Sequence, residues 1–402
     1  MKVTGIISEY NPFHNGHRHH IRLARQRTGA DVIVVIMNGN FVQRGECAVT
    51  DKYLRAKMAL LGGADYVFEL PVRYGLSSAA DFAYGGVLAL HSLGCVDALC
   101  FGCESPGENL HTMAEIFWNC QRKPEENQRF QAFLREGNSF PAARQRYLQE
   151  KTGWSEEKCR QLFQPGNILA TEYIQALWEL SSPMKIGPIL REGMGYHQVE
   201  ASNEKEREYM SATAIRSRLS GGLEHLPGMP KEALEIWKQA DYYMKTEDFW
   251  PLLALTIRMR SRELTQYKDI SPELAKVFER EVSRASSYQQ FIHGCKTKNI
   301  TMSRIKRGMF QILFEIKEAP REEKMPYLRL LGRRKDAARL PFGEAQTRVL
   351  GRLAKEEENL EPAAKEKLSQ DIFAADIYRM TLSQKKGIVQ KNEYESPMII
   401  IG

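Results

Sequence analysis

The sequence predicts an α/β fold, in which a Rossmann-like parallel sheet is followed by a mostly helical domain. In the first half, short apolar segments rich in β-branched residues alternate with segments of helical periodicity. From about Pro230 the strand signals fade, and the apolar residues take a helical spacing instead. At 402 residues the chain is long enough for two or three domains.

Five segments of the first half have the composition of buried strands, and three segments between them have helical spacing. The predicted strands are Val3–Ile7, Ala30–Met37, Tyr66–Leu70, Ala98–Gly102 and Met184–Leu190. The predicted helices are Arg18–Arg25, Asp51–Leu61 and Ser78–His91. This alternation implies a parallel sheet whose ligands bind beyond the carboxyl ends of the strands. His14, Gly39, Gly102 and Arg191 follow predicted strand ends, so we expect them to converge.

The chain divides into two regions at about residue 225. A polar, helix-like stretch over about 108–164 interrupts the strand–helix alternation, and we interpret it as an insertion in a first domain over 1–225. Residues 226–402 are expected to form a mainly helical, basic domain. Within it, Pro326–Gly332 and Met398–Ile401 have the pattern of short strands.

The composition indicates a cytoplasmic globular protein. No early signal segment stands out, and no apolar run is long enough to span a membrane, so no membrane partner is expected. Seven cysteines without framework spacing predict reduced thiols. Cys95, Cys100 and Cys103 have a spacing found in one class of iron–sulfur protein. Because Val96–Phe101 has the pattern of a core strand, buried apolar thiols are the favoured interpretation.

The most informative motif is His14-Asn15-Gly16-His17, between the first strand and the first helix. A helix start carries unpaired N–H groups and a partial positive charge, and therefore favours an anion. Imidazoles there can donate hydrogen bonds to phosphate oxygens and to charge developing in a transition state. Gly16 would keep the backbone close to the phosphates.

Two other interpretations of this motif stay open from the residues alone. The four residues are also compatible with a solvated helix start. A zinc site is the second alternative, because His14, His17, His19 and His20 crowd together, although no cysteine lies at ligand spacing beside them.

A second motif, Ser211-Ala-Thr-Ala-Ile-Arg216, begins another predicted helix. Ser211 is a candidate N-cap, and Thr213 and Arg216 lie on the same turn. Two hydroxyls and a guanidinium at a helix start can hold a triphosphate. As an isolated string, this pattern more often marks a capped amphipathic helix.

The two motifs together carry a family resemblance. An H-x-G-H after the first strand resembles the signature of the nucleotidyltransferase superfamily and the related aminoacyl-tRNA synthetases. A longer ordered series is similar to the bacterial tRNA(Met) cytidine acetate ligase family and covers nearly the whole chain. It comprises SEYNPFHNGH, NGNFVQRGECA, KYLRAKMALLGGADYVFELP, PGNILATEYIQAL, GMGYH, SATAIR, KTKNITMSRIKR and YLRLLG. Three positions depart from the family pattern: Cys47 replaces an expected proline, Glu192 follows Arg191, and Gln198 replaces an expected acid.

The resemblance implies an enzyme that uses ATP and Mg²⁺ to convert acetate to acetyl-adenylate. The acetyl group would then pass to the exocyclic amine of the wobble cytidine of elongator tRNA(Met), giving N4-acetylcytidine. His14 and His17 would stabilise the α-phosphoryl group, and Thr213 with Arg216 would hold the departing pyrophosphate. The partners implied are acetate and a tRNA, with no DNA.

The resemblance also implies an ATP-binding set. It comprises Ile7, Ser8, Glu9, Tyr10, Asn11, Pro12, Phe13, His14, Asn15, Gly16, His17, Arg18, His19, His20, Gly102, Asn167, Arg191 and Ser211. Three of these have simpler interpretations. Asn167 has the position of a helix cap, Arg191 that of a surface ion-pair partner, and Gly102 that of a turn residue.

A basic cluster in the second half is the predicted tRNA-binding site. It comprises Lys296, Lys298, Arg304, Lys306 and Arg307, with no acidic residue among them. Arg44, Lys52, Arg55 and Lys57 are expected to include further tRNA or phosphate contacts. The alternative in both cases is an ordinary solvated helix face, because the net charge of +7 is a mild excess.

Two rival functions share some of these features. A nucleotidyltransferase acting on a phosphorylated small molecule would have both nucleotide motifs, but would not need the long basic helical region. A non-catalytic RNA-binding protein with a degenerate nucleotide fold would not need both histidines and the intact SATAIR string.

Overall fold

A computed structural model describes residues 1–191, 208–223, 226–297 and 300–402. An eight-stranded sheet forms its centre, and a two-stranded hairpin lies beside it. The sheet comprises β1 Val3–Ser8, β2 Val32–Asn38, β5 Tyr66–Leu70, β6 Ala98–Cys103, β7 Lys185–Leu190, β8 Leu328–Arg334, β9 Val349–Leu350 and β10 Ile399–Ile401. The hairpin comprises β3 Phe41–Val42 and β4 Glu46–Cys47.

The strand order is β10-β8-β5-β2-β1-β6-β7, with β9 paired to β8. β1, β2, β5, β6 and β7 are mutually parallel, as predicted, and each corresponds to one of the five predicted strands. The sheet is mixed, because β8 pairs with β5 in the antiparallel direction. In the register, Ile6 of β1 lies between Val35 of β2 and Cys100 of β6.

The direction of chain progression reverses at β1. On one side of this strand the chain continues to β2 and β5, and on the other side to β6 and β7. A reversal of this kind opens a crevice beyond the carboxyl ends of the strands, where ligands of doubly wound sheets bind. The loop that leaves β1 at this crevice leads directly to the histidine motif.

The described residues form seventeen α-helices. They are α1 Asn15–Thr28, α2 Lys52–Leu61, α3 Val72–Gly75, α4 Ala79–Ser92, α5 Gly107–Arg122, α6 Pro124–Arg135, α7 Phe140–Thr152, α8 Glu156–Leu162, α9 Pro165–Glu179, α10 Ala212–Ser217, α11 Lys231–Ala240, α12 Trp250–Met259, α13 Pro272–Val282, α14 Tyr288–Cys295, α15 Met302–Leu313, α16 Leu353–Glu356 and α17 Pro362–Lys386. Among these, none combines the length and the apolar character needed to cross a bilayer.

Hydrophobic burial on both faces explains the sheet. Successive residues of β2 point to opposite faces, because side chains alternate along a strand. Val32, Val34 and Ile36 pack in a core that includes residues of α4 and α9, whereas Ile33 and Val35 pack in a core that includes residues of α1 and α2. A strand buried on both faces has the continuous apolar sequence typical of parallel sheets.

The carboxyl-terminal region is helical but also completes the sheet. α12 to α15 share one core with α3, α17 and the β3–β4 hairpin. The strands predicted at Pro326–Gly332 and Met398–Ile401 are present as β8 and β10. However, they lie in the first sheet rather than within the helical region, because Leu331 of β8 packs against the core beneath α2. The sheet therefore crosses the division of the chain at residue 225.

Candidate nucleotide-binding site

A buried arginine shapes the crevice at the end of β1. Arg55 of α2 has no exposed surface and donates hydrogen bonds to the carbonyl oxygens of Glu9 (2.7 Å), Asn38 (3.2 Å) and Thr50 (3.1 Å), and also to that of Gly39. These bonds tie the carboxyl ends of β1 and β2 together. Arg55 is therefore part of the scaffold, and the suspected phosphate or tRNA contact is wrong because its donors are buried and used.

The two histidines of the motif are held in a defined arrangement. His14 is the N-cap of α1, and its ring stacks on that of His17 with 3.6 Å between centroids. The backbone N–H of His14 donates to Nδ1 of His17 at 3.2 Å, so neutral His17 carries its proton on Nε2. A Cβ on Gly16 would lie 2.9 Å from Cε1 of His14, which explains why glycine separates the pair.

Three histidines of this turn, His14, His17 and His20, are neutral. Burial lowers the pKa of His14 to about 3, with further lowering by the positive charges of Arg191 and Arg216. Burial, followed by the neighbouring histidines and Arg191, holds the pKa of His17 well below its usual range. The pKa of His20 is lowered to about 4, mainly by burial. The turn therefore presents neutral imidazole donors in a region of positive potential, which suits an incoming polyphosphate.

Several buried polar atoms of this loop and turn have no hydrogen-bond partner among the described residues. They are the Tyr10 hydroxyl, Nδ2 of Asn11, Nδ1 of His14, Nε2 of His19 and Nε2 of His20. Buried polar groups are nearly always paired in folded proteins, so a group of unpaired ones in a single segment indicates a ligand site.

The second motif lies against the first. Oγ of Ser211 accepts from the backbone N–H of Ala214 at 3.2 Å and caps α10. Nη1 of Arg216 donates to the carbonyl oxygen of Asn11 at 2.7 Å, and its Nη2 donates to Oγ1 of Thr213 at 3.3 Å. The structure therefore brings together the two motifs that the sequence separates by about 200 residues.

Arg191 reaches the same crevice from the end of β7. Its Nη1 lies 3.3 Å from Oε1 of Glu104, which follows β6. A Cβ on Gly102 would come within 3.1 Å of Nε of Arg191, so the absence of a side chain at Gly102 makes room for this guanidinium. Arg191 therefore forms an ion pair, as the simpler interpretation predicted. It also lies close enough to the histidine turn for its charge to lower the pKa values of His14, His17 and His20.

Asn167 has a structural role that the sequence only partly indicated. It is fully buried at the start of α9. Its Oδ1 accepts from the backbone N–H groups of Glu104 (2.9 Å) and Ser105 (3.1 Å), and its Nδ2 donates to Ser105 Oγ and Gln161 O. Because these bonds use its full amide capacity, the predicted direct bond to ATP does not fit this geometry. Asn167 instead positions the loop that holds the partner of Arg191.

Neither the zinc site nor the iron–sulfur site considered above has a set of ligands among the described residues. No three histidine, cysteine, aspartate or glutamate side chains are grouped there as a metal would require. Cys100 and Cys103 are buried on β6, where burial raises the pKa of each thiol to about 11. A neutral, buried thiol is a small apolar side chain rather than a cluster ligand.

The predicted tRNA-binding cluster is largely engaged within the protein. Lys296 is exposed. Nε of Arg304 donates to the carbonyl oxygen of Asp269 at 2.8 Å, and Nζ of Lys306 lies 2.6 Å from Oε1 of Glu46. Lys298, like Glu192 and Gln198, lies outside the described residues.

Arg307 does not fit the predicted contact with tRNA. Its side chain is buried, with Nε 2.9 Å from Oδ2 of Asp269. A buried guanidinium paired with a carboxylate cannot reach a phosphate backbone without losing that pair.

Sequence reasoning missed three acidic side chains, Glu46, Glu69 and Glu393, that pair with buried or half-buried cations. Glu46 lies between Lys306 and Arg216, 3.9 Å from Nη2 of the latter. Burial alone would raise the pKa of Glu46, but Lys306 and Arg216 outweigh burial and lower it, so the carboxylate is ionised. Glu69 and the tail residue Glu393 enclose the ammonium of Lys52, which is 1% exposed, each at 2.7 Å. The only sequence signal for Glu46 is its place in the NGNFVQRGECA string. No local pattern predicts the cluster of Lys52, Glu69 and Glu393.

This fold and this histidine turn define a HIGH-type nucleotidyltransferase. The family model described as HIGH Nucleotidyl Transferase matches residues 1–393. Two solved structures of Thermotoga maritima TmcAL are 28% identical and cover the whole of both chains. One is bound with alpha-thio ATP and has a TM-score of 0.88, and the other, an apo form, has a TM-score of 0.90.

Curated relatives specify the family further. The tRNA(Met) cytidine acetate ligase of Halothermothrix orenii is 34% identical, covering 94% of this chain and 95% of its own. The Clostridium kluyveri enzyme of the same name is 37% identical, covering 83% of this chain and 84% of its own. The Lysinibacillus sphaericus enzyme is 32% identical, covering 99% of this chain and 100% of its own. The chain belongs to the tRNA(Met) cytidine acetate ligase family.

Proposed function

We propose that this protein is an ATP-dependent, AMP-forming ligase that acetylates the wobble cytidine of elongator tRNA(Met) and forms N4-acetylcytidine. The hydrogen bond from Arg216 to the carbonyl of Asn11 is the observation that carries the proposal, because it joins both nucleotide motifs in one crevice. The names of the curated relatives and the ATP analogue bound by the Thermotoga maritima protein support the same function.

In the proposed first step, an acetate oxygen attacks the α-phosphorus of ATP and pyrophosphate leaves. His14 and His17 donate hydrogen bonds to the α-phosphoryl oxygens, with Nε2–H as the donor of His17. Ser211, Thr213 and Arg216 bind the β- and γ-phosphates and stabilise the charge on the leaving pyrophosphate. These donors are already positioned, so little reorganisation accompanies the reaction.

The ATP-binding surface would be formed by residues 7–20 together with Gly102 and Arg191. Mg²⁺ enters as part of the substrate, because this ion keeps water ligands and is usually held by nucleotide phosphates with one or two protein oxygens. When bound, it neutralises part of the polyphosphate charge. Asn167 contributes by fixing the loop of Glu104, the ion-pair partner of Arg191.

In the proposed second step, the exocyclic amine of cytidine attacks the carbonyl carbon of acetyl-adenylate and AMP leaves. A base in the anticodon loop can be splayed out and inserted into a pocket, unlike a base within a helix. Residues 226–402 would supply part of the tRNA contact, with the exposed Lys296 as the leading candidate of the predicted cluster. We propose that the protein acts where tRNA is used, in the cytoplasm.

The direct test is mass spectrometry of tRNA nucleosides after incubation of the protein with ATP, acetate and elongator tRNA(Met). We expect N4-acetylcytidine only when ATP and acetate are both present. His14→Ala should abolish the product while tRNA binding, measured by gel shift, stays near the wild-type value. Turnover of a phosphorylated small molecule, with none of tRNA, would instead support a small-molecule nucleotidyltransferase.

A further inference from the structure

A cleft adjoins the candidate nucleotide site on the side of Arg216. Its volume is about 330 Å³, and it lies between the β3–β4 hairpin, the end of α10 and the helices of the carboxyl-terminal region. Glu46, Arg216, Ser220 and Tyr288 are among the residues that line it. Because Arg216 also contacts Thr213 and the loop before His14, an occupant of this cleft would lie next to the reacting phosphates.

Tyr288 gives the cleft an unused hydrogen-bonding group. The residue is 4% exposed, and its ring packs in the core of the helical region. Its hydroxyl is buried and has no hydrogen-bond partner among the described residues, although the residue lines the cleft. Burial raises the pKa of Tyr288, so the hydroxyl stays protonated and available as a donor. Such a group is costly to bury unless a ligand pairs with it.

Glu46 gives the same cleft an ionised acceptor. Its Oε1 is 2.6 Å from Nζ of Lys306, and its Oε2 is 3.9 Å from Nη2 of Arg216. Each carboxylate oxygen has a second lone pair, so Glu46 can accept a further hydrogen bond from a ligand in the cleft. The cleft thus presents a neutral O–H donor and a carboxylate acceptor.

We propose that this cleft receives the cytosine base of the acceptor RNA, with Glu46 accepting from its exocyclic amine and Tyr288 donating to its ring nitrogen or carbonyl oxygen. This inference rests on the proposed function. The Watson–Crick edge of cytosine places an amine donor beside two acceptors, which matches the acceptor and donor of the cleft. Uracil presents an oxygen at the position of the amine, and that oxygen would face the Glu46 carboxylate unfavourably.

The size of the cleft fits this occupant. A volume of about 330 Å³ is at the lower end of the range for pockets that bind small molecules. It exceeds what acetate needs and suits a single nucleoside. Arg216 lines the cleft and also donates to the carbonyl oxygen of Asn11 in the loop before His14, so the cleft adjoins the candidate nucleotide site.

The transfer step balances with the groups present. The amine nitrogen forms a bond to the carbonyl carbon, the bond from that carbon to the phosphate oxygen breaks, and AMP leaves with its electron pair. The attacking nitrogen becomes positively charged, so its proton is acidic enough to pass to the carboxylate of Glu46 and then to solvent. No other reactant is required.

Two variants test the cleft without removing a nucleotide-binding residue. Tyr288→Phe removes only the hydroxyl, and Ser220→Trp fills the cleft from an exposed position. Acetate-dependent exchange of pyrophosphate into ATP reports the first step, and transfer of labelled acetate to elongator tRNA(Met) reports both steps. We expect Tyr288→Phe to lower kcat/KM for transfer by about 10-fold or more, since a site built to pair a polar group loses at least one hydrogen bond. Ser220→Trp should lower it further, and both variants should affect exchange much less.

The matched control is Tyr267→Phe, because Tyr267 is buried in the same helical core but does not line the cleft. It should transfer acetate at the wild-type rate, and thermal melts should show that all three variants fold. Binding of an anticodon stem-loop with cytidine at the wobble position should weaken in Tyr288→Phe, whereas the same RNA with uridine should bind weakly to every form.

The outcomes separate the two proposals. If the wild type shows no acetate-dependent exchange and forms no acetylcytidine, the proposed function itself fails. If the wild type is active but both cleft variants transfer acetate normally, the cytosine site is elsewhere. Equal losses of exchange and transfer would also overturn the assignment, because they would place these residues in the first step.

Discussion

Nη1 of Arg216 lies 2.7 Å from the carbonyl oxygen of Asn11, a residue 205 positions earlier in the chain. This bond sets the loop that leads into His14 against the turn that begins at Ser211. A polyphosphate bound between these segments would meet a guanidinium whose position is already fixed. Preorganised donors of this kind stabilise developing charge more effectively than mobile ones, because no reorganisation is needed during the reaction.

Replacement of Arg216 by lysine should therefore impair the first step severely. Lysine keeps the charge but cannot donate to Asn11 and Thr213 at the same time as it binds phosphate. We expect Arg216→Lys to lower acetate-dependent pyrophosphate exchange by about 100-fold, the loss typical for one preorganised donor. Arg218→Lys is the control, since Arg218 lies on the same segment and contacts Met210 instead. Similar exchange rates for the two variants would contradict the assigned role.

The tautomer of His17 leads to a second prediction. Its Nδ1 accepts from the backbone of His14, so only Nε2–H is free to donate to a phosphoryl oxygen. The amide of glutamine reaches the position of Nε2, whereas that of asparagine reaches the position of Nδ1. We expect His17→Gln to lower kcat for acetate-dependent AMP formation by about 10-fold and His17→Asn by about 100-fold.

His293→Gln is a suitable control for both histidine variants, because His293 is exposed on α14 and remote in sequence from the motif. It should leave AMP formation unchanged. Equal activity of the glutamine and asparagine variants would show that Nε2 of His17 is not the donor.

The lowered pKa values of the histidines predict a pH dependence of stability. The folded protein holds the pKa of His14 at about 3 and that of His20 at about 4, compared with an ordinary value of 6.5. Well above pH 6.5 neither the folded nor the unfolded state binds these protons, so the two histidines do not reduce the free energy of unfolding there. Between pH 6.5 and 4 the unfolded state binds them and the folded state does not, so the free energy of unfolding falls with decreasing pH.

The expected slope is at most about 1.4 kcal/mol per pH unit for each histidine, and partial exposure of the turn makes it smaller. Urea unfolding at several pH values between 7.5 and 5 measures it. His14→Asn should lose less stability than the wild type over this interval. An identical pH dependence in the variant would mean that His14 titrates normally in the folded protein.

The buried cluster around Lys52 predicts a large effect on stability. The ammonium lies within 2.7 Å of Glu69 and of Glu393, the latter from the tail of the chain. Lys52→Met would leave the buried Glu69 without its ion-pair partner and Glu393 with only Arg329, whose Nη2 lies 3.8 Å away, and we expect a loss of about 3–5 kcal/mol in the free energy of unfolding. Chemical denaturation measures this loss.

Lys57→Met provides the comparison on the same helix, because Lys57 is partly exposed, and its effect should be small. Adding Glu69→Gln and Glu393→Gln to Lys52→Met should restore part of the lost stability, since the uncompensated charges are then absent. A mild effect of Lys52→Met alone would show that the cluster is not stabilised by its charges.

Much of the sheet could be predicted because its strands are buried on both faces. Continuous apolar segments such as Val32–Asn38 leave little choice of structure, and the strand–helix alternation predicts parallel pairing. The placement of β8 could not be predicted in this way. Its antiparallel pairing with β5 depends on which core covers its apolar face, and that core is assembled from segments far apart in the chain.

The basic cluster shows the limit of reading charge from a sequence. Arg304, Lys306 and Arg307 stand together with no acidic neighbour in the chain, yet each contacts Asp269 or Glu46 in the folded protein. A local run of basic residues does not predict which acidic residues folding will bring into contact with it. The same reason explains Arg55, whose four carbonyl partners come from three different segments.

By itself, the sequence determined the class of fold, the position of the histidine turn after β1 and the family to which both motifs point, because these depend on local periodicity and on short strings of residues. Only the tertiary structure decided that Arg216 meets Asn11, that Asn167 supports a loop, and that Tyr288 and Glu46 line one cleft. These relationships join residues separated by tens to hundreds of positions. They arise from the packing of whole elements against one another, which no local pattern encodes.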